Sequence, residues 1–203
     1  MKAIKALLFD LGGVIIDFDF NQAVDCWADY AQRNAMEIKS AFSFDHYYEA
    51  HEKGEINASE YFNSLRRTLG IDISDLQFEE GWNSIFKGEM PGATNLLNKF
   101  NNKLPLYAFT NSNHLHYKVC SVRFAETLSR FRKVFNSAEL GKRKPEPEAF
   151  HMVVDFMKLK PEEIIFYDDT MENIVGAKNI GFHTVHVKSM SDIEESLKHF
   201  TLL

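Results

Sequence analysis

A chain of 203 residues, 45% of them hydrophobic, can bury a full core and carry one domain with a sizeable insertion. Its net charge of −6 gives no electrostatic reason to expect nucleic acid or an anionic membrane as partner, so any anion must be held locally. The two cysteines, Cys26 and Cys120, lie far apart without metal-ligand spacing and read as reduced thiols; the first apolar run breaks at Asp10, too short for a signal peptide or a spanning helix, so the cytoplasm is the expected compartment.

In chain order, the first expected element is a strand. In "AIKALLFDLGGVIIDFDF", Ala6 to Phe9 are apolar without alternation, which suits a strand covered on both faces of a parallel sheet. Asp10 then stands at the strand's carboxyl end, where open α/β sheets bind ligands, although an Asp opening a turn on Gly12 and Gly13 fits equally. From about Asp17 to Lys87 no convincing strand is found. Amphipathic helices are expected near Ala23 to Arg33, Ala41 to His51, Ser59 to Leu69 and Ser74 to Phe86. In "NASEYFNSLRRTLG", Asn57 or Ser59 can cap, Tyr61, Phe62, Leu65 and Leu69 form one stripe, and Gly70 ends it. A small helical block over residues 17–87 therefore interrupts a core of residues 1–16 and 88–203, with "GEMPG" as the return linker. Trp27 and the phenylalanines of this block read as packing.

Beyond the linker, "GATNLLNKF" and "PEAFHMVVDFMKL" read as helices, the second opening on Pro147. The runs "LPLYAFTN", "KVFNS", "IIFYDD" and "HTVHV" read as four further strands. Strands alternating with helices imply a doubly wound, mostly parallel α/β sheet. The strand ends would then collect Asp10, Thr110 with Asn111, Lys144 in "GKRKPEPEAF", and the pair Asp168 and Asp169 in "FYDDTMENIVGA".

That set, in that order, resembles the haloacid dehalogenase superfamily, through "FDLGGVI", "FTNS", "GKRKPEP" and "FYDDTMENIVGA". The helical insertion resembles the cap placed between that family's first and second motifs. "FDLGGVIIDFDFNQAV", "HEKGEI" and "FYDDTMENIVGA" look most like a bacterial branch that includes α-D-glucose-1-phosphate phosphatases. The resemblance implies a HAD-like, Rossmann-type core and a Mg²⁺-dependent phosphatase acting on a small phosphorylated metabolite, such as glucose 1-phosphate. It implies Asp10 as nucleophile, and Asp10, the Gly12 carbonyl and Asp169 around the metal, with Asp168 in support. Lys144 is implied at the phosphate, chosen over Lys142 and Arg143 because it directly precedes the proline. Thr110 and the Asn111 amide would donate to the transferred group, and Asn173 would orient ligands or water.

The chemistry asks for such a set. Phosphate monoesters hydrolyse very slowly unaided, and a covalent intermediate divides the barrier. A carboxylate can attack phosphorus while already ionised, but the two anions repel, so a divalent metal and a cation should screen them. Two adjacent acids at a buried edge otherwise fit only a turn and would repel each other.

Position 12 departs from the family pattern. Many relatives carry there a second Asp that protonates the leaving group, and Gly12 cannot; a good leaving group would lower that demand. In "FDHYYEAHEKGE", His51 and Glu52 are the candidates for substrate contact or for an alternative proton donor, a solvated helix end being the other reading. Asp17 and Asp19 could reach the entrance, with helix capping the simpler role for Asp19, and a surface role suits His114 and His116. Four alternatives stand beside the phosphatase: a haloacid dehalogenase-type hydrolase, against which Asp169 argues, a phosphomutase, which lacks its acid at Gly12, a phosphoacceptor signalling domain, whose acid pair would lie near the first strand and not last, and a non-catalytic phosphate-binding relative.

Overall fold

A computed structural model describes residues 3–100 and 103–202 of the chain. Chain order begins with β1 (Ala6–Phe9) and β2 (Ile16–Phe18), followed by α1 (Asn21–Ala31), α2 (Ala35–Ala41), α3 (His46–Glu52), α4 (Ala58–Leu69) and α5 (Asp75–Asn83). Then come β3 (Phe86–Glu89), α6 (Ala93–Phe100), β4 (Leu106–Thr110), α7 (His114–Arg123), α8 (Ala125–Leu128), β5 (Lys133–Asn136) and α9 (Ser137–Leu140). The chain closes with α10 (Pro147–Met157), β6 (Ile164–Asp168), α11 (Met171–Ile180), β7 (His183–His186) and α12 (Met190–His199).

Five strands form one parallel sheet in the order β5-β4-β1-β6-β7. Its central strand explains the apolar run at the start of the sequence. Leu7 and Phe9 of β1 enter one hydrophobic core with Leu96, Leu97 and Leu197, while Ala6 and Leu8 enter a second with Phe150, Val153 and Ala177. Both faces are thus covered, as the doubly wound reading requires. The winding reverses between β1 and β6, and in open α/β sheets such a reversal opens a crevice at the carboxyl ends of the strands.

The helices between β2 and β3 pack around a third core. Trp27 stacks on Trp82 with ring centroids 5.5 Å apart, and Phe62 on Phe78 at 5.4 Å. Local signals set their ends: Asn57 and Glu60 form a capping box on α4, Ser74 and Gln77 one on α5, and Gly70 closes α4 in the left-handed conformation.

Two details differ from the sequence reading. β2 and β3 form an antiparallel ribbon, Ile16 opposite Glu89, at the two crossings into and out of the helices. Three- and four-residue strands are too short for alternation to register. The helix expected over Ala41 to His51 is broken at Phe42–Asp45, and α2 precedes the break. Phe42 is extended so that its ring reaches Phe20 at 4.4 Å, and Asp45 recaps the chain by accepting from the Tyr48 amide. Tertiary stacking here overrides helical periodicity. Asp17 pairs with Lys87, and Asp19 accepts from the Asn21 amide just ahead of α1. Among the described residues no helix is long and apolar enough to cross a membrane.

Candidate active site

The sheet continues for one residue beyond β1: the Asp10 amide still donates to the Tyr167 carbonyl at 2.8 Å, which fixes the side chain at the strand tip. β6 ends in Asp168 beside it, and β4 ends in Thr110. Lys144 arrives from the loop after α9 and is 1% exposed. Its ammonium lies 2.9 Å from Asp10 Oδ1 and 2.7 Å from Asp168 Oδ2, and donates to the Phe109 carbonyl at 2.7 Å. Those are the three donors an ammonium has. Phe109 and Phe166 flank it with their rings. The Asn111 side chain fastens this loop, donating to the Lys144 carbonyl and accepting from its amide, both at 2.8 Å.

Charge is concentrated here. Asp10, Asp168 and Asp169 bring carboxylate oxygens within 4.8 Å of one another. Burial, partly offset by Lys144 and reinforced by the two neighbouring acids, pushes the Asp10 carboxyl up to about 7. Burial and Asp168 also raise that of Asp169, whereas Asp10 and Asp168 together hold the Lys144 ammonium above its usual range against the effect of its burial. One lysine thus faces three acids. Asp168 is saturated, accepting from Lys144, from the Thr170 amide at 2.8 Å and from Asn173 Nδ2 at 3.1 and 3.2 Å. Asn173 therefore orients a carboxylate. Asp169 is the most accessible of the three. Gly13, with φ of +69°, makes room for it: a Cβ there would fall 2.2 Å from Asp169 Oδ2. Converging oxygens with too little positive charge, one of them accessible, fit a hard divalent cation.

Asp10, Lys144, Asp169 and Asn173 line a cleft of about 240 Å³ together with Gly12, Thr110 and Asn111 and with Tyr48, Glu52 and Arg143, while Asp168 lies buried behind them. A second cavity of about 210 Å³ adjoins it, walled by Phe18, Phe20, Phe44, Trp82 and Phe86, and shares Gly12, Phe18, Tyr48, Glu52, Thr110 and Asn111 with the first. Glu52 is buried between them. Its carboxylate accepts from the Tyr48 hydroxyl at 2.7 Å and from Arg143 Nε at 2.9 Å, and its carbonyl accepts from the Ser137 hydroxyl at 2.6 Å. Arg143 also reaches Glu49 at 3.0 Å.

His51 goes elsewhere. It is 4% exposed, lies edge-on to Tyr61 at 4.7 Å and lines neither cavity, and burial lowers its pKa to about 4. Its neighbour on the helix, and not the imidazole, faces the cleft, because successive helical residues point about 100° apart. His116 corrects the expectation of a surface role: it is buried against Trp82 and donates from Nε2 to the Trp82 carbonyl at 2.7 Å. The sequence did not single out Tyr48 or Phe18, and it offered Arg143 only as a rival to Lys144 and Gly13 only as a turn residue. The doubled glycine after Asp10 was a usable signal for Gly13; the other three are placed by contacts between segments distant in sequence.

A model of the haloacid dehalogenase-like hydrolase family matches residues 4–181. The chain is 25% identical to D-ribitol-5-phosphate phosphatase of Bacteroides thetaiotaomicron over 96% of its own length and 97% of that protein's. It is 25% identical to hexitol phosphatase A of Escherichia coli, over 93% and 85% of the two chains. Among solved structures, a HAD family enzyme of Bacteroides thetaiotaomicron in complex with magnesium and inorganic phosphate superimposes with a TM-score of 0.80 at 31% identity, covering 93% of this chain and 96% of that one. The family model spans all four strand-end stations, and the chain belongs to the haloacid dehalogenase-like hydrolase family.

Proposed function

We propose that the protein is a Mg²⁺-dependent phosphatase of small phosphorylated metabolites, of the sugar and polyol phosphate class, with glucose 1-phosphate as one member to be tried. The observation that carries this is the convergence of Asp10, Asp168 and Asp169 on one point with a buried lysine between two of them. The relatives named for ribitol and hexitol phosphates support the substrate class, and the neighbour holding magnesium and phosphate supports the cofactor. The accompanying division of the chain is a core of residues 1–16 and 88–203 with a cap of 17–87, supported by the β2–β3 ribbon at both crossings.

Asp10, the Gly12 carbonyl and Asp169 would hold Mg²⁺, with Asp168 behind them, since Asp168 already spends its lone pairs on Lys144, Thr170 and Asn173. The bound ion supplies charge neutralisation and a template for the phosphoryl oxygens. Asp10, aimed by the strand tip, attacks phosphorus as the alcohol leaves on the opposite side, giving an aspartyl phosphate. Lys144 keeps a positive charge beside the transferring group, and Thr110 and the Asn111 amide donate to its oxygens. Water then releases phosphate from Asp10.

Turnover of p-nitrophenyl phosphate with Mg²⁺, and then of a panel holding D-ribitol 5-phosphate, glucose 1-phosphate and glycerol 3-phosphate, tests the proposal. Asp10→Asn is expected to lower turnover by about 10⁴-fold or more. Wild-type protein as inactive as that variant across the whole panel would refute the phosphatase.

A further inference from the structure

The strand-end loops hold no residue to protonate the departing alcohol. Position 12 is glycine, and a Cβ there would stand 3.0 Å from the Phe18 ring, so the flank of the cleft beside the nucleophile is closed by an aromatic wall. Four carboxylates line the cleft: Asp10, Asp169, Glu172 and Glu52. The first two belong to the metal cluster, and Glu172 lies exposed in the first turn of α11. Glu52 alone of these also lines the adjoining aromatic cavity, the space left for the alcohol once the phosphate sits among Asp10, Lys144 and Thr110. It is 4% exposed and held rigid by Tyr48, Arg143 and Ser137. Each of its carboxylate oxygens accepts one of these bonds and keeps a second lone pair.

We propose that Glu52 is the general acid and base of this site, doing from the cap what the residue at position 12 cannot do from the sheet. The inference rests on the phosphatase reading. In the first step the bond from Asp10 to phosphorus forms, the bond from phosphorus to the ester oxygen breaks, and the Glu52 carboxyl proton passes to that oxygen, releasing the alcohol. In the second, Glu52 carboxylate takes a proton from the attacking water as the water oxygen bonds to phosphorus and the Asp10–phosphorus bond breaks, restoring both acids. The environment suits a group that must carry a proton near neutrality. Burial raises the Glu52 carboxyl above its usual range, outweighing Arg143 and Lys144 from the core loop and the Tyr48 hydroxyl from its own helix; Glu49 touches it only through Arg143.

Leaving groups separate this role from a purely structural one. p-Nitrophenolate departs without a proton, whereas the alkoxide of D-ribitol 5-phosphate does not. In Glu52→Gln, rapid mixing with p-nitrophenyl phosphate is expected to give a first turnover within tenfold of wild type, seen as a burst of about one equivalent, followed by slow steady state. The alkyl phosphates of the panel should show no burst and a first turnover slowed about 10²- to 10⁴-fold. Arg143→Gln breaks the same ion pair but keeps the acid, and should slow both esters alike. In unaltered enzyme, independent of how any variant folds, the first turnover of the alkyl ester should fall at high pH where that of the p-nitrophenyl ester does not. Equal slowing of both ester types in Glu52→Gln, the same ester split in Arg143→Gln, parallel pH profiles, or turnover of p-nitrophenyl phosphate with no alkyl phosphate hydrolysed would each overturn the assignment and leave the phosphatase standing. Absence of all wild-type turnover would take both down.

Discussion

Gly13, in the loop after β1, and Gly81, inside α5, each keep a Cβ out of a neighbour's way, but the neighbours differ in kind. At Gly13 the neighbour is a carboxylate oxygen of Asp169, 2.2 Å from the absent Cβ; at Gly81 it is the Trp27 indole, 2.4 Å away. The room at the sheet edge lets like charges gather, which a fold left to itself would avoid. The room in α5 lets Trp27 stack on Trp82 and donate to the Phe78 carbonyl at 3.1 Å, which any fold would welcome. One region spends stability to build chemistry, and the other supplies it.

The contrast is tested hardest at Lys144. Lys144→Met leaves Asp10 and Asp168 buried without their shared cation, and uncompensated buried charge destabilises by about 3–5 kcal/mol. Urea unfolding at pH 8 should record that loss together with the disappearance of turnover. Adding Asp10→Asn to the same chain should return part of the stability and none of the turnover. A Lys144→Met protein as stable as wild type would mean that the edge is not strained, and the contrast would fail.

The same difference decides what could be read from the sequence. Asp10, Thr110 and the pair Asp168 and Asp169 each stand at the end of a strand, so a short stretch such as "IIFYDD" carries both the apolar run and the acids that follow it. The five strands of the sheet, Asp10, Thr110, Asp168 and Asp169 were legible for that reason, whereas Lys144, in the loop after α9, was legible only through the resemblance carried by "GKRKPEP". The insertion is built by contacts that no local window contains. Phe20 against Phe42, Trp27 against Trp82, and Arg143 against Glu52 join segments tens of residues apart, so the break at Phe42, the β2–β3 ribbon and the burial of His51 and His116 could not be read. Glu52 was visible as an acid in a polar segment; that it, and not His51, faces the cleft depends on how α3 is rotated, which is set by Tyr61 and Ser137.

Alanine at the two glycines sharpens the contrast. Gly81→Ala would ordinarily gain about 1 kcal/mol of helix propensity, but overpacking against Trp27 costs about 1–3 kcal/mol. Its thermal midpoint should therefore fall, while the Mg²⁺ concentration for half-maximal activity stays put. Gly13→Ala meets about 1–2 kcal/mol of left-handed strain and displaces Asp169, so that Mg²⁺ requirement should rise about 10- to 100-fold. An unchanged Mg²⁺ requirement in Gly13→Ala would remove Asp169 from the metal's ligands.

Acid should act on the two regions with opposite sign. His116 joins the core to α5 through the Trp82 carbonyl, and its burial holds its pKa down at about 4. Its folded value lies below the ordinary 6.5, so its stabilising contribution is complete above pH 6.5 and is lost as pH falls toward 4, where the unfolded chain takes a proton that the folded one refuses. At pH 5.5, one unit below the ordinary value, the loss is about 1.4 kcal/mol. Asp10 runs the other way. Its folded value of about 7 lies above the ordinary 3.8, so its contribution is complete at low pH and is lost as pH rises through 7. Urea midpoints between pH 7.5 and 5.5, measured without Mg²⁺, should therefore drop less with acid in His116→Gln than in wild type, because the glutamine amide can still donate to Trp82 but does not titrate. They should drop more with acid in Asp10→Asn, which has lost the opposing group. If both variants shifted the profile in the same direction, the edge and the insertion would share one electrostatic logic, and the division drawn between Gly13 and Gly81 would be wrong.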